Sequence, residues 1–216
     1  QRWPVTELGD ALTQALDALG VIAADVATLS RTEIGELAER SGGGSSAMPQ
    51  KRNPAQSVLI RSAALRAPGL AATLHTASAL AVDERPDGAW HAEWPTLREV
   101  LKLAQGASAH AALLVGGLRV DPEAVSRNLA FTRGLIVSER LAIVLGPVLG
   151  AERVRRIVAH AGRGGDLAAL LRAEPELAAA GIDVDEILDP ANYTGLAGWL
   201  VDHTLAAAHP SETELP

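Results

Sequence analysis

Ser45, Ser46, Lys51, Arg52 and Asn53 stand within one short segment, Gly42-Gly43-Gly44-Ser45-Ser46-Ala47-Met48-Pro49-Gln50-Lys51-Arg52-Asn53-Pro54. A serine hydroxyl is a poor acid or base in water. It becomes useful where donors and positive charge stabilise its alkoxide and where closure removes water. The three glycines leave the backbone ahead of Ser45 free to move. Lys51 and Arg52 supply cations, Asn53 an amide, and a helix opening at Pro54 adds favourable potential for an anion. This set suits a polycarboxylate whose α-proton is added or removed. The carbanion is then held as an aci-carboxylate dianion, which needs a cation-rich setting. The bland alternatives are a flexible linker for Gly-Gly-Gly-Ser-Ser and solvated loop charges for Lys51 and Arg52.

Two stretches of helical periodicity flank this segment. After Trp3-Pro4, Val5, Leu12, Leu19 and Val26 share one heptad position, and Leu8, Ala15, Ile22 and Leu29 share another. The unbroken pattern predicts one helix from about Val5 to about Ala38, with a seam longer than a monomer of this size needs. It implies a bundle shared between subunits. Asn53 is a good N-cap and Pro54 suits a first helical position, so a second helix is expected from there to about Val82, with a kink at Pro68-Gly69. Asp83 to Gly88 reads as a turn and Trp90 to Leu118 as a third long helix. Asp121 can cap the helix that Pro122 opens. Shorter helices are expected at 122–130, 134–149, 151–162, 166–172, 183–188 and 193–208, with a frayed polar tail at 209–216. The expected class is all-α: a long-helix bundle over 1–119, carrying the segment 41–54, then a small helical domain over 120–216.

Composition agrees with that class. The 216 residues are 48% hydrophobic but only 3% aromatic, and Ala, Leu and Val favour packed helices over sheets. The net charge of −7, with dispersed cations, argues against a nucleic-acid surface. Cys is absent, which excludes disulfides and thiolate metal sites. His75, His110, His160 and His203 are isolated, without metal-ligand spacing, so no metal site is read from them. No uninterrupted apolar run reaches the roughly 18 residues of a membrane span and no signal peptide opens the chain; a soluble cytoplasmic protein with no membrane partner is the expectation. The sequence opens on Gln1 with helical periodicity at once, which reads as the later part of a longer protein.

A second informative stretch is Asp83-Glu84-Arg85-Pro86-Asp87-Gly88-Ala89-Trp90-His91-Ala92-Glu93-Trp94-Pro95-Thr96-Leu97. Trp90 and Trp94 share a helix face, and ordinary bundle packing is their plainer reading. Arg85 could bind a carboxylate; the alternative is a surface turn. His91 and Glu93 read more readily as surface or subunit contacts than as catalytic groups.

The first segment fills every fixed position of Gly-Ser-Ser-x-Met-Pro-x-Lys-x-Asn-Pro and so resembles the signature loop of the fumarase/aspartase superfamily. By that resemblance Ser45 matches the catalytic serine, a base in elimination and an acid in addition. Lys51 and Asn53 match substrate-binding positions, and Ser46, Met48 and Arg85 join them as substrate contacts. The run through Glu84-Arg85, Gly88-Ala89-Trp90 and Ala92-Glu93-Trp94 resembles the bacterial 3-carboxy-cis,cis-muconate cycloisomerases. Leu188-Asp189-Pro190-Ala191-Asn192-Tyr193-Thr194-Gly195 agrees, although adenylosuccinate lyases share part of it. The resemblance implies lactonisation of 3-carboxy-cis,cis-muconate to a carboxymuconolactone, in the protocatechuate (β-ketoadipate) branch of aromatic catabolism, with Ser45 as proton donor and without cofactor. It also implies a homotetramer whose active sites each take three loops from three subunits, and a full length about twice this one. Without the N-terminal loops the isolated chain is expected to be inactive or very weak. The alternatives are adenylosuccinate lyase, another lyase of the superfamily, or a non-catalytic helical assembly module, which the intact loop argues against.

Overall fold

The computed structural model describes residues 1–40, 43–44 and 52–208, which divide into two compact units, Gln1–Val125 and Ser126–Pro216. The first is built on three long helices, α1 (Trp3–Leu29), α2 (Ala55–Ala79) and α3 (Asp87–Gly116). Asp10 meets His75, and a Cβ on Gly20 would stand 2.7 Å from that of Ala64, so α1 and α2 run antiparallel. Arg66 pairs with Glu99 and Gln56 meets His110, so α2 and α3 do too.

The buried residues of α1 are Gly9, Leu16, Ala23 and Val26. Gly9, Leu16 and Ala23 thus keep the seven-residue period but lie one position from the expected Leu8–Ala15–Ile22 seam, whereas Val26 belongs to the other expected seam. Leu12 and Leu19 pack beside these residues, whereas Leu8 and Ile22 remain 44% and 46% exposed. Small residues (Ala63, Ala67, Ala71, Ala77) form most of α2's buried face and let the helices approach closely. Pro68 is exposed on the outer face, where its missing N–H costs least, and α2 continues through it. By length and composition α1 could cross a membrane. In the structure its stripe is buried against the neighbouring helices, and Glu7, Asp17 and Asp25 lie on its exposed face.

The first helix ends at Leu29 rather than near Ala38. Gly35 adopts a left-handed conformation (φ +68°), its N–H and that of Ile34 turn back to Arg31, and the N–H of Glu36 reaches the carbonyl of Leu29. Among the described residues, four two-residue strands follow: β1 (Leu37–Ala38), β2 (Gly43–Gly44), β3 (Arg52–Asn53) and β4 (Arg119–Val120). β1 pairs antiparallel with β4, and β2 with β3. Apolar periodicity extended the expected helix, but Leu37 and Ala38 take their hydrogen bonds from a distant segment instead.

α4 (Pro122–Ala130) spans the division between the units, and Asp121 caps it by accepting from the N–H groups of Glu123 and Ala124. The second unit contains α5 (Ser138–Leu149), α6 (Ala151–Gly162), α7 (Leu167–Arg172), α8 (Pro175–Ala179), α9 (Val184–Leu188) and α10 (Ala197–Ala208), with 3-10 turns at Leu135–Val137 and Pro190–Tyr193. Leu141, Leu145, Leu167, Leu171 and Leu177 form its core. Asp166, Asp183 and Asp189 cap the helical turns that follow them. α8 was not anticipated. The tail expected to fray lies outside the described residues.

Candidate active site

Of the residues assigned to the site from sequence, Ser45, Ser46, Met48 and Lys51 lie outside the described residues. The flanks of their segment are described. The leading flank is held by β1 against β4, by the N–H of Asp121 donating to the carbonyl of Glu36 (2.9 Å), and by the N–H of Arg40 donating to that of Gly117 (3.1 Å). The trailing flank is β3, which pairs Arg52 and Asn53 with Gly44 and Gly43 and so brings the two ends of the serine segment together.

Asn53 does not cap α2. The position ahead of the helix belongs to Pro54, which offers no side-chain acceptor. Glu39 takes that role from across the segment. Its Oε2 accepts from the N–H of Gln56 (3.0 Å), and its Oε1 accepts from the N–H (2.9 Å) and the Oγ–H (2.7 Å) of Ser57. Glu39 is 6% exposed and Ser57 fully buried. The positive end of α2 is therefore occupied by the protein's own carboxylate, which corrects the expectation that it attracts a substrate anion. On α3, His110 Nδ1–H donates to the side-chain oxygen of Gln56 at 2.6 Å, tying the same turn to the third helix.

Asn53 is exposed and lines a cavity of about 630 Å³ together with Ser30, Glu39, Arg119, Asp121 and Glu123. Among the described residues of this wall Arg119 is basic and Glu39, Asp121 and Glu123 are acidic, so the cavity carries both charge signs. Arg85 is exposed in the loop after α2, where its N–H donates to Asp83 Oδ1 at 2.7 Å. The 25 residues of α2 put roughly 37 Å between the two ends of that helix. Within one chain, Asn53 and Arg85 are not brought together.

In the tryptophan stretch the aromatic rings contact one another. Trp90 and Trp94 stack with ring centroids 5.9 Å apart, and the His91 ring lies 5.2 Å from that of Trp94. Glu93 is buried in a two-point ion pair with Arg2, whose Nε donates to its Oε2 at 2.8 Å while Nη2 meets Oε1. That hydrogen bond raises the Arg2 pKa against the opposing effect of burial. Among the described residues no group of three His, Asp or Glu is placed to hold a metal. Sequence reasoning missed Glu39, Gln56, Ser57 and Gly117. Glu39 lies just past the expected end of the first helix, between Glu36 and Arg40, and nothing in the local sequence set it apart from those charges.

A family profile described as Lyase matches residues 1–69. The nitrosuccinate lyase of Streptomyces davaonensis is 47% identical over 94% of this chain and 45% of its own length. The 3-carboxy-cis,cis-muconate cycloisomerase of Pseudomonas aeruginosa is 40% identical over 97% of this chain and 48% of its own length. The chain belongs to the fumarase/aspartase superfamily. The crystal structure of the 3-carboxy-cis,cis-muconate lactonizing enzyme from Pseudomonas putida superposes with a TM-score of 0.84 at 36% identity, covering 94% of this chain and 47% of that one. The all-α architecture is thus that of the superfamily, and the likeness to cycloisomerases read from the tryptophan stretch holds. This superfamily member spans about half the length of the curated relatives it matches.

Proposed function

We propose that the complete protein is a lyase that adds or removes a proton α to a carboxylate on a small polycarboxylate, with Ser45 as the proton-transferring group. One observation carries this: the filled signature segment, Gly44 to Pro54, with its two flanks paired at the start of a long bundle helix. In this reading Lys51 and Asn53 hold substrate carboxylates, Ser46 and Met48 contact the substrate from the same segment, and the lysine charge stabilises the aci-carboxylate.

For the substrate, 3-carboxy-cis,cis-muconate is the first reading, supported by the tryptophan stretch and by the fold match. One carboxylate adds across a conjugated double bond, the Ser45 proton goes to the carbon α to another carboxylate, and a carboxymuconolactone results. A second reading is elimination from nitrosuccinate, favoured by the 47% identity to a nitrosuccinate lyase. Both use one proton transfer at one kind of carbon.

The proposed assembly is a homotetramer formed through the long helices. Leu8, Val21, Ile22, Val58, Leu59 and Leu65 are exposed on the first unit and offer apolar surface for such contacts. Arg85, lying at the far end of α2 from Asn53, would serve the site of another copy.

The test offers both substrates to the complete protein and follows their absorbance. Ser45→Ala is expected to lower turnover about a thousandfold with the helical signal unchanged. Turnover of neither substrate, or an unaffected Ser45→Ala variant, overturns the reading.

A further inference from the structure

Glu39 has no place in the chemistry just described, yet it is among the few buried charged residues of the first unit. A buried carboxylate is costly unless its oxygens are satisfied, and here both are. Its three bonds go to a single turn, the first of α2. Its own backbone lies between β1 and Arg40, and both are tied to the end of α3 and β4. Glu39 thus connects the flank that leads into the serine segment to the helix that follows it.

We propose that Glu39 is a positioning residue for the lyase site: its carboxylate sets the distance between the two flanks of the serine segment and the placement of Asn53, which stands just ahead of the turn it holds. The proposal rests on the assignment of Asn53 and the serine segment to substrate binding and proton transfer. β2 and β3 pair the flanks through backbone alone, and over only two residues each. Such a short ladder is marginal by itself, and a side-chain clamp adjacent to it resists its slipping. A cap that merely stabilised α2 would come from the residue at the head of the helix. The clamp comes from the opposite flank, and this couples helix stability to the spacing of the two flanks.

The experiment uses the complete protein and three variants: Glu39→Gln, Glu39→Ala, and Glu39→Ala combined with Pro54→Ser, with Pro54→Ser alone as control. Glu39→Gln keeps one acceptor but turns an N–H₂ toward the N–H of Gln56. The double variant gives α2 a cap of its own and leaves the flanks unclamped. Both Glu39 variants are expected to lower kcat/KM by about tenfold or more, since misplacement by an ångström is enough for such losses. In the double variant the melting temperature recovers and kcat/KM does not. Recovery of both together, relative to the control, would show Glu39 to be a helix cap only and overturn the proposal. So would unchanged kcat/KM in Glu39→Ala. If the unmodified protein turns over neither substrate, the functional reading is what has failed. Hydrogen exchange then decides: Glu39→Ala is expected to speed exchange at Asn53 as well as at Gln56 and Ser57, and unchanged exchange at Asn53 refutes the clamp.

Discussion

The backbone of Arg40 is pressed against Gly117: its N–H reaches the Gly117 carbonyl at 3.1 Å, and a Cβ on Gly117 would stand 2.9 Å from the Cβ of Arg40 and 3.1 Å from the carbonyl oxygen of Leu113. Neither neighbour is the flexible end of a side chain. Gly117→Ala is expected to cost about 1–2 kcal/mol, read from urea unfolding, by pushing the leading flank away from α3. Stability equal to the parent would show that this contact is not tight in solution.

Glu93 depends on Arg2. The Glu93 side chain is 4% exposed, and loss of its partner leaves a carboxylate inside the bundle. Arg2→Ala should destabilise by about 1–3 kcal/mol. Replacing both residues, Arg2→Met with Glu93→Leu, should recover most of that loss, because matched apolar side chains remove the desolvation cost as well as the bond. Equal destabilisation by the single and the double variant would count against the pair.

The outward seam of α1 tests the proposed assembly. Leu8 and Ile22 repeat at heptad spacing and remain 44% and 46% exposed. If copies meet there, Ile22→Glu should lower the mass measured by light scattering while the helical signal persists. In a chain that is monomeric throughout, the same change alters little, since exposed substitutions usually stay within about 0.5 kcal/mol.

Glu176 gives the second unit an acid-sensitive contact. Its carboxyl is held below the usual range, first by a hydrogen bond from its own backbone N–H and then by Arg153, whose Nη1 donates at 2.7 Å. A depressed carboxylate contributes stability that is present above its unfolded value and lost as pH falls through the folded one. Arg153→Ala should move the Glu176 carboxyl titration upward by NMR; no movement would mean that the pair does not form in water.

Helix punctuation was legible wherever it is local. Asp121-Pro122 placed α4 at Pro122–Ala130, and Gly150 and Gly162 bounded α6, because caps and breakers act within a turn. The end of α1 was not legible. Ile34 and Leu37 continue the apolar pattern, but Leu37 pairs with Val120, a partner that only the folded chain supplies. The same holds at the head of α2. Asn53-Pro54 has good cap chemistry, yet Glu39 arrives from another segment with a charge and two acceptor oxygens.

By itself the sequence determined the helical class, the superfamily and the hydroxyl, lysine and amide offered for chemistry, since periodicity and motif spacing are properties of neighbouring residues. The tertiary structure decided which anion sits at the start of α2 and that Glu93 belongs to Arg2. These depend on which segments meet, and that is settled by burial across the whole bundle.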